Sequence, residues 1–364
     1  MKPRILLLVN RNPSAAGAFS EASKRLETPV DLAIGASDAE ACQARFSGPV
    51  FQIDFSNHET AIGQIARETL FSPFSVIIPS DCSSISLAVS AAELLSIPSI
   101  SRTAARSLID KAHQKELFAS FGISTPFFRV FSVNDDPEKR ATEIIYPCVL
   151  KPVFFSGGRG VIRANDQIEF ENGFRRILSL LSGPTLMPPE TGLDRKILVE
   201  DFISGKEAIL AGFLVKGELK WPALFDAGEQ REVHIMEEGP ALCPSRLSQK
   251  VREDVRALAL KAIGAIGLLE GPVYVKVKVN NTGIWILEAR GCFQDEFSSK
   301  LLALQNGITP EEMILRRWGG LPFPDFVPEQ TSFGVMPVPV PHSGLLKEVR
   351  EVHRAEKVPG IKAV

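Results

Sequence analysis

The side chains with the clearest chemical potential lie between positions 111 and 290. In the run Tyr146-Pro147-Cys148-Val149-Leu150-Lys151-Pro152, Lys151 sits at the end of an apolar strand. The flexible turn Ser156-Gly157-Gly158-Arg159-Gly160 comes within a few residues. Glycine amides approach phosphate oxygens closely, and a neighbouring lysine adds a point charge. A glycine loop beside a lysine is also an ordinary surface turn, so this pair alone leaves both readings open. Arg159 is open in the same way, as a phosphate ligand or a solvated turn residue. Further on, Ile197-Leu198-Val199-Glu200-Asp201-Phe202-Ile203 leads into Gly205-Lys206-Glu207. A strand that ends in free backbone beside Glu200 can hydrogen-bond a purine edge, and Glu207 can accept from ribose hydroxyls.

Other chemistries lack their signatures. There is no Gly-x-x-x-x-Gly-Lys-Ser/Thr phosphate loop, no Gly-x-Ser-x-Gly elbow, and no glycine fingerprint after the first strand. The five histidines have no metal-ligand spacing; His113 and His234 read as surface residues. Cys42, Cys82, Cys148, Cys243 and Cys292 form no Cys-x-x-Cys and suggest buried thiols in a reducing compartment, with neither disulfides nor zinc. With 41 Lys and Arg against 43 Asp and Glu, the chain offers no strong charge for nucleic acid or anionic membrane. The apolar run after Met1 is too short for a secretory signal, and no segment is long enough to span a bilayer. A cytoplasmic protein with no nucleic-acid or membrane partner is expected.

The elements that must position these residues can be read from hydrophobic pattern. Ile5-Leu6-Leu7-Leu8-Val9 and Val76-Ile77-Ile78-Pro79 are continuous apolar runs, as buried parallel strands are. Alternation with helical segments predicts an α/β, doubly wound domain over residues 1–102. A single helix is expected over 102–122, with Asp110 beside Lys111 either functional or facing solvent. Beyond it the pattern becomes α+β with antiparallel pairing: strands at 146–151, 161–163, 196–202 and 208–215, and a helix over 249–266 capped by Ser248. The last 40 residues contain Pro337, Pro339 and Pro341 and read as strand, helix and a final strand at 361–364, which suggests an incomplete end.

This succession resembles the ATP-grasp superfamily, and within it the carboxylate–amine ligase branch. The resemblance rests on Asp110-Lys111, the Lys151 strand, the loop from Ser156 to Gly160, the run from Val199 to Glu207, and Ile286-Leu287-Glu288. Cys243-Pro244-Ser245-Arg246-Leu247 and Gly271-Pro272-Val273 add to it. It implies a two-lobed α+β ATP-grasp fold over 103–320, with a small lobe to about 205, a large lobe to 320, and an extension over 321–364. It implies that Lys111 and Lys151, with Ser156, Gly157, Gly158 and Arg159, meet phosphates. Glu200 and the backbone of Phe202 and Ile203 would hold adenine, and Glu207 ribose. The implied reaction joins a small-molecule carboxylate to an amine through an acylphosphate, with ATP and magnesium as cofactors. A homodimer is compatible with this.

The sequence departs from the family pattern at the metal. Lys276 stands where a carboxylate is usual, and Glu288-Ala289-Arg290 replaces Glu-x-Asn, so Glu288 alone survives as a metal ligand. Ammonium and guanidinium offer no lone pair to a cation. A three-residue loop at Asn281-Thr282-Gly283 would set Lys276 opposite Glu288, with Tyr274, Lys276 and Lys278 facing a cleft. Three readings are open, with Lys276 and Arg290 as residues of the catalytic centre. Lys276 and Glu288 form an ion pair in a metal-free site; or Lys276 supplies fixed charge in place of a magnesium, with fewer ions or none; or Asp295, Glu296, Glu237 or Glu238 restore the ligands. A protein that binds nucleotide or a metabolite without catalysis, or serves as an interaction module, is the alternative.

Overall fold

The computed structural model describes residues 3–10, 13–36, 39–70, 72–155, 157–183, 192–228, 241–292, 296–324, 331–336, 345 and 347–362. Near the N-terminus, β1 (Ile5–Val9), β2 (Val30–Ile34), β3 (Val50–Gln52) and β4 (Val76–Pro79) form a parallel sheet of order β3-β2-β1-β4. Every residue of β1 is buried because both faces are covered. Leu6 and Leu8 join a cluster with Ala61, Ile65 and Ala88, while Ile5, Leu7 and Val9 join another with Ala16 and Phe19. This is the doubly wound arrangement expected from the apolar runs.

The helix expected over 102–122 is two helices, Arg102–Ile109 and Lys111–Ser120. They part at Asp110, whose backbone is extended and whose carboxylate accepts from the amides of Ala112 and His113. Asp110 is therefore a buried N-cap, not a solvent-facing residue. The break starts a new helix with Lys111 in its first turn, which fixes where that ammonium can reach.

A second sheet, of order β5-β8-β6-β7, contains β5 (Phe128–Ser132), β6 (Cys148–Pro152), β7 (Ile162–Ala164) and β8 (Lys196–Asp201). Helix Gln167–Leu181 covers it with Phe170, Phe174 and Ile177. The third sheet has order β13-β12-β9-β10-β11-β14. Its strands are β9 (Lys206–Val215), β10 (Glu218–Ala227), β11 (Ala241–Cys243), β12 (Gly271–Asn280), β13 (Gly283–Arg290) and β14 (Phe333–Val335). Val273, Val275 and Val277 pack with Val255, Ala259 and Ala262 of helix Gln249–Ile266, which Ser248 caps as expected. The opposite face, with Ile209, Phe213 and Tyr274, shares a core with Leu7, Val9 and Phe19. Tyr274 thus faces the first sheet's core rather than the cleft, which corrects the expectation from strand alternation. It lies on the same strand face as Lys276, but the core covers that end of β12.

Two further expectations change. Cys82 and Cys292 form a disulfide, with Cα atoms 6.1 Å apart and a sequence separation of 210. Cys42, Cys148 and Cys243 keep buried thiols, as foreseen for all five. Among the described C-terminal residues, Ile361 and Lys362 are not in a strand, and the only helix there is Val352–Ala355. Pro337, Pro339 and Pro341 lie outside the described residues.

Candidate functional site

A cleft opens between the second and third sheets. On the second-sheet side, β6 and β8 run antiparallel with Val149 opposite Glu200 and Lys151 opposite Leu198. Residues two apart share a face. Lys151 and Glu200 are therefore diagonal neighbours, and they form an ion pair. Helix Lys111–Ser120 adds a second cation, because Lys111 and Lys115 are four residues apart and lie on one face. The Lys115 Nζ is 3.0 Å from Glu200 and donates to Thr125 Oγ1 at 2.6 Å and to the Ile286 carbonyl at 3.0 Å. Lys111 donates to the Phe155 carbonyl.

These groups share one electrostatic environment. Burial pushes Lys111 down to about 7, against the pull of Glu288. Burial likewise pushes Lys115 down to about 8, offset in part by Glu200. Burial disfavours the Glu200 anion, yet Lys115 and Lys151 outweigh it and hold the carboxyl below its usual range.

The third-sheet side carries a different arrangement. Glu207 on β9 is opposite Lys278 on β12, and Lys276 is its diagonal neighbour. Lys276 lies 3.3 Å from Glu207 Oε1 and Lys278 3.4 Å from Oε2. Both pull the Glu207 carboxyl down despite its burial. On β13, Arg290 bonds Glu288 at 2.6 Å. Glu288 is also buried, and Arg290, Lys111, Lys276 and Lys151 together hold it far below the ordinary carboxylate range.

The hairpin corrects the expected turn and keeps one expected pair. Asn280 pairs with Gly283 and Val277 with Ile286, so the loop has two residues. A bulge with Leu287 as the extra residue then restores Lys276 opposite Glu288. Facing each other does not make them partners, however: Lys276 bonds Glu207, and Glu288 bonds Arg290. The first of the three readings, a Lys276–Glu288 ion pair, is replaced by these two pairs. Gln114 fixes this stretch of β13, donating to the Ala289 carbonyl at 2.7 Å and accepting from its amide at 2.9 Å.

Of the residues foreseen from sequence, Lys111, Lys151, Gly158, Glu200, Phe202, Ile203, Glu207, Lys276, Glu288 and Arg290 all line the cleft. Gly157 and Gly158 have φ of 65° and 73°, values that favour glycine. Gly157 and Arg159 are not in the cleft wall; the Arg159 guanidinium stacks 4.7 Å over Phe155. Ser156, His234, Glu237, Glu238 and Asp295, and the side chain of Glu296, lie outside the described residues. Lys115 and Gln114 were not foreseen. Helical spacing from Lys111 was the available signal for both.

Among the described residues the donor set does not suit a divalent ion. Magnesium wants oxygen ligands in a near-octahedral shell. Among the described residues no group of three His, Cys, Asp or Glu can hold a metal. Glu288 is the one expected ligand present, and its carboxylate is taken by Arg290 with Lys111 and Lys276 close by.

The fold has known counterparts. The model of the ATP-grasp domain matches residues 144–294. Carbamoyl phosphate synthase large chain from Pseudothermotoga lettingae is 23% identical over 258 residues, which is 66% of this chain and 22% of that one. Phosphoribosylamine–glycine ligase from Caldanaerobacter subterraneus subsp. tengcongensis is 26% identical over 206 residues, 53% of this chain and 47% of that one. The chain thus spans less than half the length of these two curated relatives. The crystal structure of L-amino acid ligase from Bacillus licheniformis superposes with a TM-score of 0.85 over 98% of this chain and 85% of that one, at 19% identity. Other solved neighbours were crystallised with ADP, with ATP, or with ADP and magnesium. The two-lobed body around the cleft is an ATP-grasp fold. Residues 144–294 match the ATP-grasp domain, and the chain is similar to proteins named as ligases.

Proposed function

We propose that this chain binds ATP in the cleft and joins a small carboxylate to an amine. The observation that carries the reading is the convergence of Lys111, Lys151, Lys276 and Arg290 on one cleft that Gly158 of the glycine turn also lines. Lys151 and Lys111 meet the phosphates, the backbone of Phe202 and Ile203 meets adenine, and Glu207 turns to the ribose. The substrate carboxylate attacks the γ-phosphorus and ADP leaves. The amine nitrogen then attacks the acyl carbon and phosphate leaves. Fixed cations around the transferred group lower the cost of charge spreading over its oxygens in the transition state. Relatives with ligase names support this reading, and L-amino acid ligase supports an amino acid as substrate class. The division into 1–102, 103–320 and 321–364 belongs to the same proposal, as does a cytoplasmic location. No helix among the described residues is long and apolar enough to cross a membrane.

A panel of carboxylate–amine pairs tests it. One pair should stimulate phosphate release from ATP and yield the amide, and Lys151→Ala should abolish both. Nucleotide binding with no turnover across the panel would favour the non-catalytic alternative. That reading draws on one feature: the Arg290–Glu288 pair closes the only expected metal ligand among the described residues.

A further inference from the structure

Six cationic side chains meet at this cleft: Lys111, Lys115, Lys151, Lys276, Lys278 and Arg290. Four carboxylates oppose them: Glu200, Asp201, Glu207 and Glu288. The surplus has a definite origin. Glu200 holds two lysines and Glu207 holds two more, so each pair of lysines keeps one charge beyond its carboxylate. Arg290 and Glu288 balance, and Lys111 reaches only a carbonyl oxygen by hydrogen bond. Such an excess in a partly dry cleft favours a polyanion. The same excess repels a divalent cation, and the three buried carboxylates that might attract one are each ion-paired.

We propose that Lys276 and Arg290, with Lys278 beside them, are built-in counter-ions, so that the cleft takes a nucleoside di- or triphosphate as the free anion and needs no magnesium to bind it. The inference rests on the nucleotide reading of the cleft. Lys276 faces Glu288 across the β12–β13 pairing, and Arg290 lies two residues along on the Glu288 strand face. The two cations therefore flank Glu288, the one expected metal ligand among the described residues. Charge placed by the backbone needs no assembly when the ligand arrives, and a chelator cannot remove it. Glu207 would exchange its lysines for ribose hydroxyls as the phosphates take up their charge.

The test is calorimetric titration of the wild-type protein with ATP in EDTA and, separately, in excess magnesium. The expected result is binding in EDTA within about threefold of that in magnesium, less than one decade of affinity. Binding in magnesium but at least about tenfold weaker in EDTA would overturn the proposal, and would mean that carboxylates outside the described residues hold a metal. No binding in either medium would remove both this proposal and the nucleotide reading. Metal-free binding with no turnover in the substrate panel would leave this proposal standing while the ligase reading falls. The double variant Lys276→Glu, Arg290→Asn sharpens it: ATP should bind at least about tenfold more weakly in EDTA and recover in magnesium. An equal loss in both media would mean that the pair acts only through structure. Lys276→Arg, which keeps the charge, should retain metal-free binding, and thermal melts of all variants check folding.

Discussion

The two walls of the cleft use the same elements, a buried glutamate with two lysines, to different ends. On the second-sheet wall, the Glu200 and Lys115 side chains are 3% and 1% exposed, and Lys115 is tied to Thr125 and to the Ile286 backbone. On the third-sheet wall, the Glu207 lysines are 16% and 15% exposed and hold their partner at 3.3 and 3.4 Å. The first cluster is locked between a helix and two sheets. The second lies at the water's edge, loosely held. A locked cluster presents Lys151 at a fixed point; a loose one can change partners when a ligand arrives. Under the proposed nucleotide reading, one wall would set the position of the phosphates and the other would exchange charge with them.

Removing the acid on each side separates these roles. Glu200→Gln strips the charge partner from two buried lysines, and breaking a buried pair in this way costs ~3–5 kcal/mol. Glu207→Gln leaves lysines that can reach water, so a loss of about 1–2 kcal/mol is expected, in the range for one unsatisfied polar group. Urea unfolding of the two variants measures the gap. Equal losses would mean that the walls do not differ as their exposure indicates.

The Cys82–Cys292 bridge bears on the same comparison, since Cys292 lies two residues beyond Arg290 and Cys82 comes just after β4 of the first sheet. It ties the third-sheet wall, and not the second, to the N-terminal sheet. Losing a disulfide typically costs ~2–4 kcal/mol. Cys82→Ser, or reduction in the wild type, should lower the melting temperature, and thiol titration of the denatured, unreduced protein should count three thiols rather than five. A count of five would show that the bridge does not form.

How far the sequence carried depended on whether a feature was local. The apolar runs of β1 and β4 and the helix behind Ser248 arise from neighbouring residues, and so do Lys151, Glu200 and Glu207 as cleft residues. Pairings between distant segments did not. Lys276 was placed opposite Glu288 by counting, and the count came out right only because a bulge at Leu287 offset a shorter loop. Nothing in residue spacing told that Glu207, on a strand far off in sequence, would take the ammonium instead. The disulfide failed for the same reason: two cysteines that far apart carry no spacing signal. Lys115 was legible in principle, one helical turn beyond Lys111, but its importance came from Glu200 arriving on another strand.

Lys111 offers the smallest effect and the finest probe, because it stands between the walls and reads both. Burial lowers it to about 7, with Glu288 and Glu200 raising it and Arg290 and Lys151 lowering it further. An unfolded chain keeps this lysine near 10.5. Between those two values the unfolded state therefore binds more protons, so the stability of the free protein should rise with pH above about 7. A polyphosphate needs the protonated form, so nucleotide affinity should move the other way. It should fall as pH climbs past about 7, by no more than about tenfold per pH unit for a single proton. ADP titrations from about pH 7 to about pH 9, spanning the lowered value, in two buffers of different ionisation enthalpy, would report the proton taken up on binding. Lys111→Met should flatten the profile while leaving the Glu200 cluster folded. If the variant's affinity keeps the full pH slope, the proton belongs to another group, and Lys115, which burial lowers to about 8, becomes the one to replace.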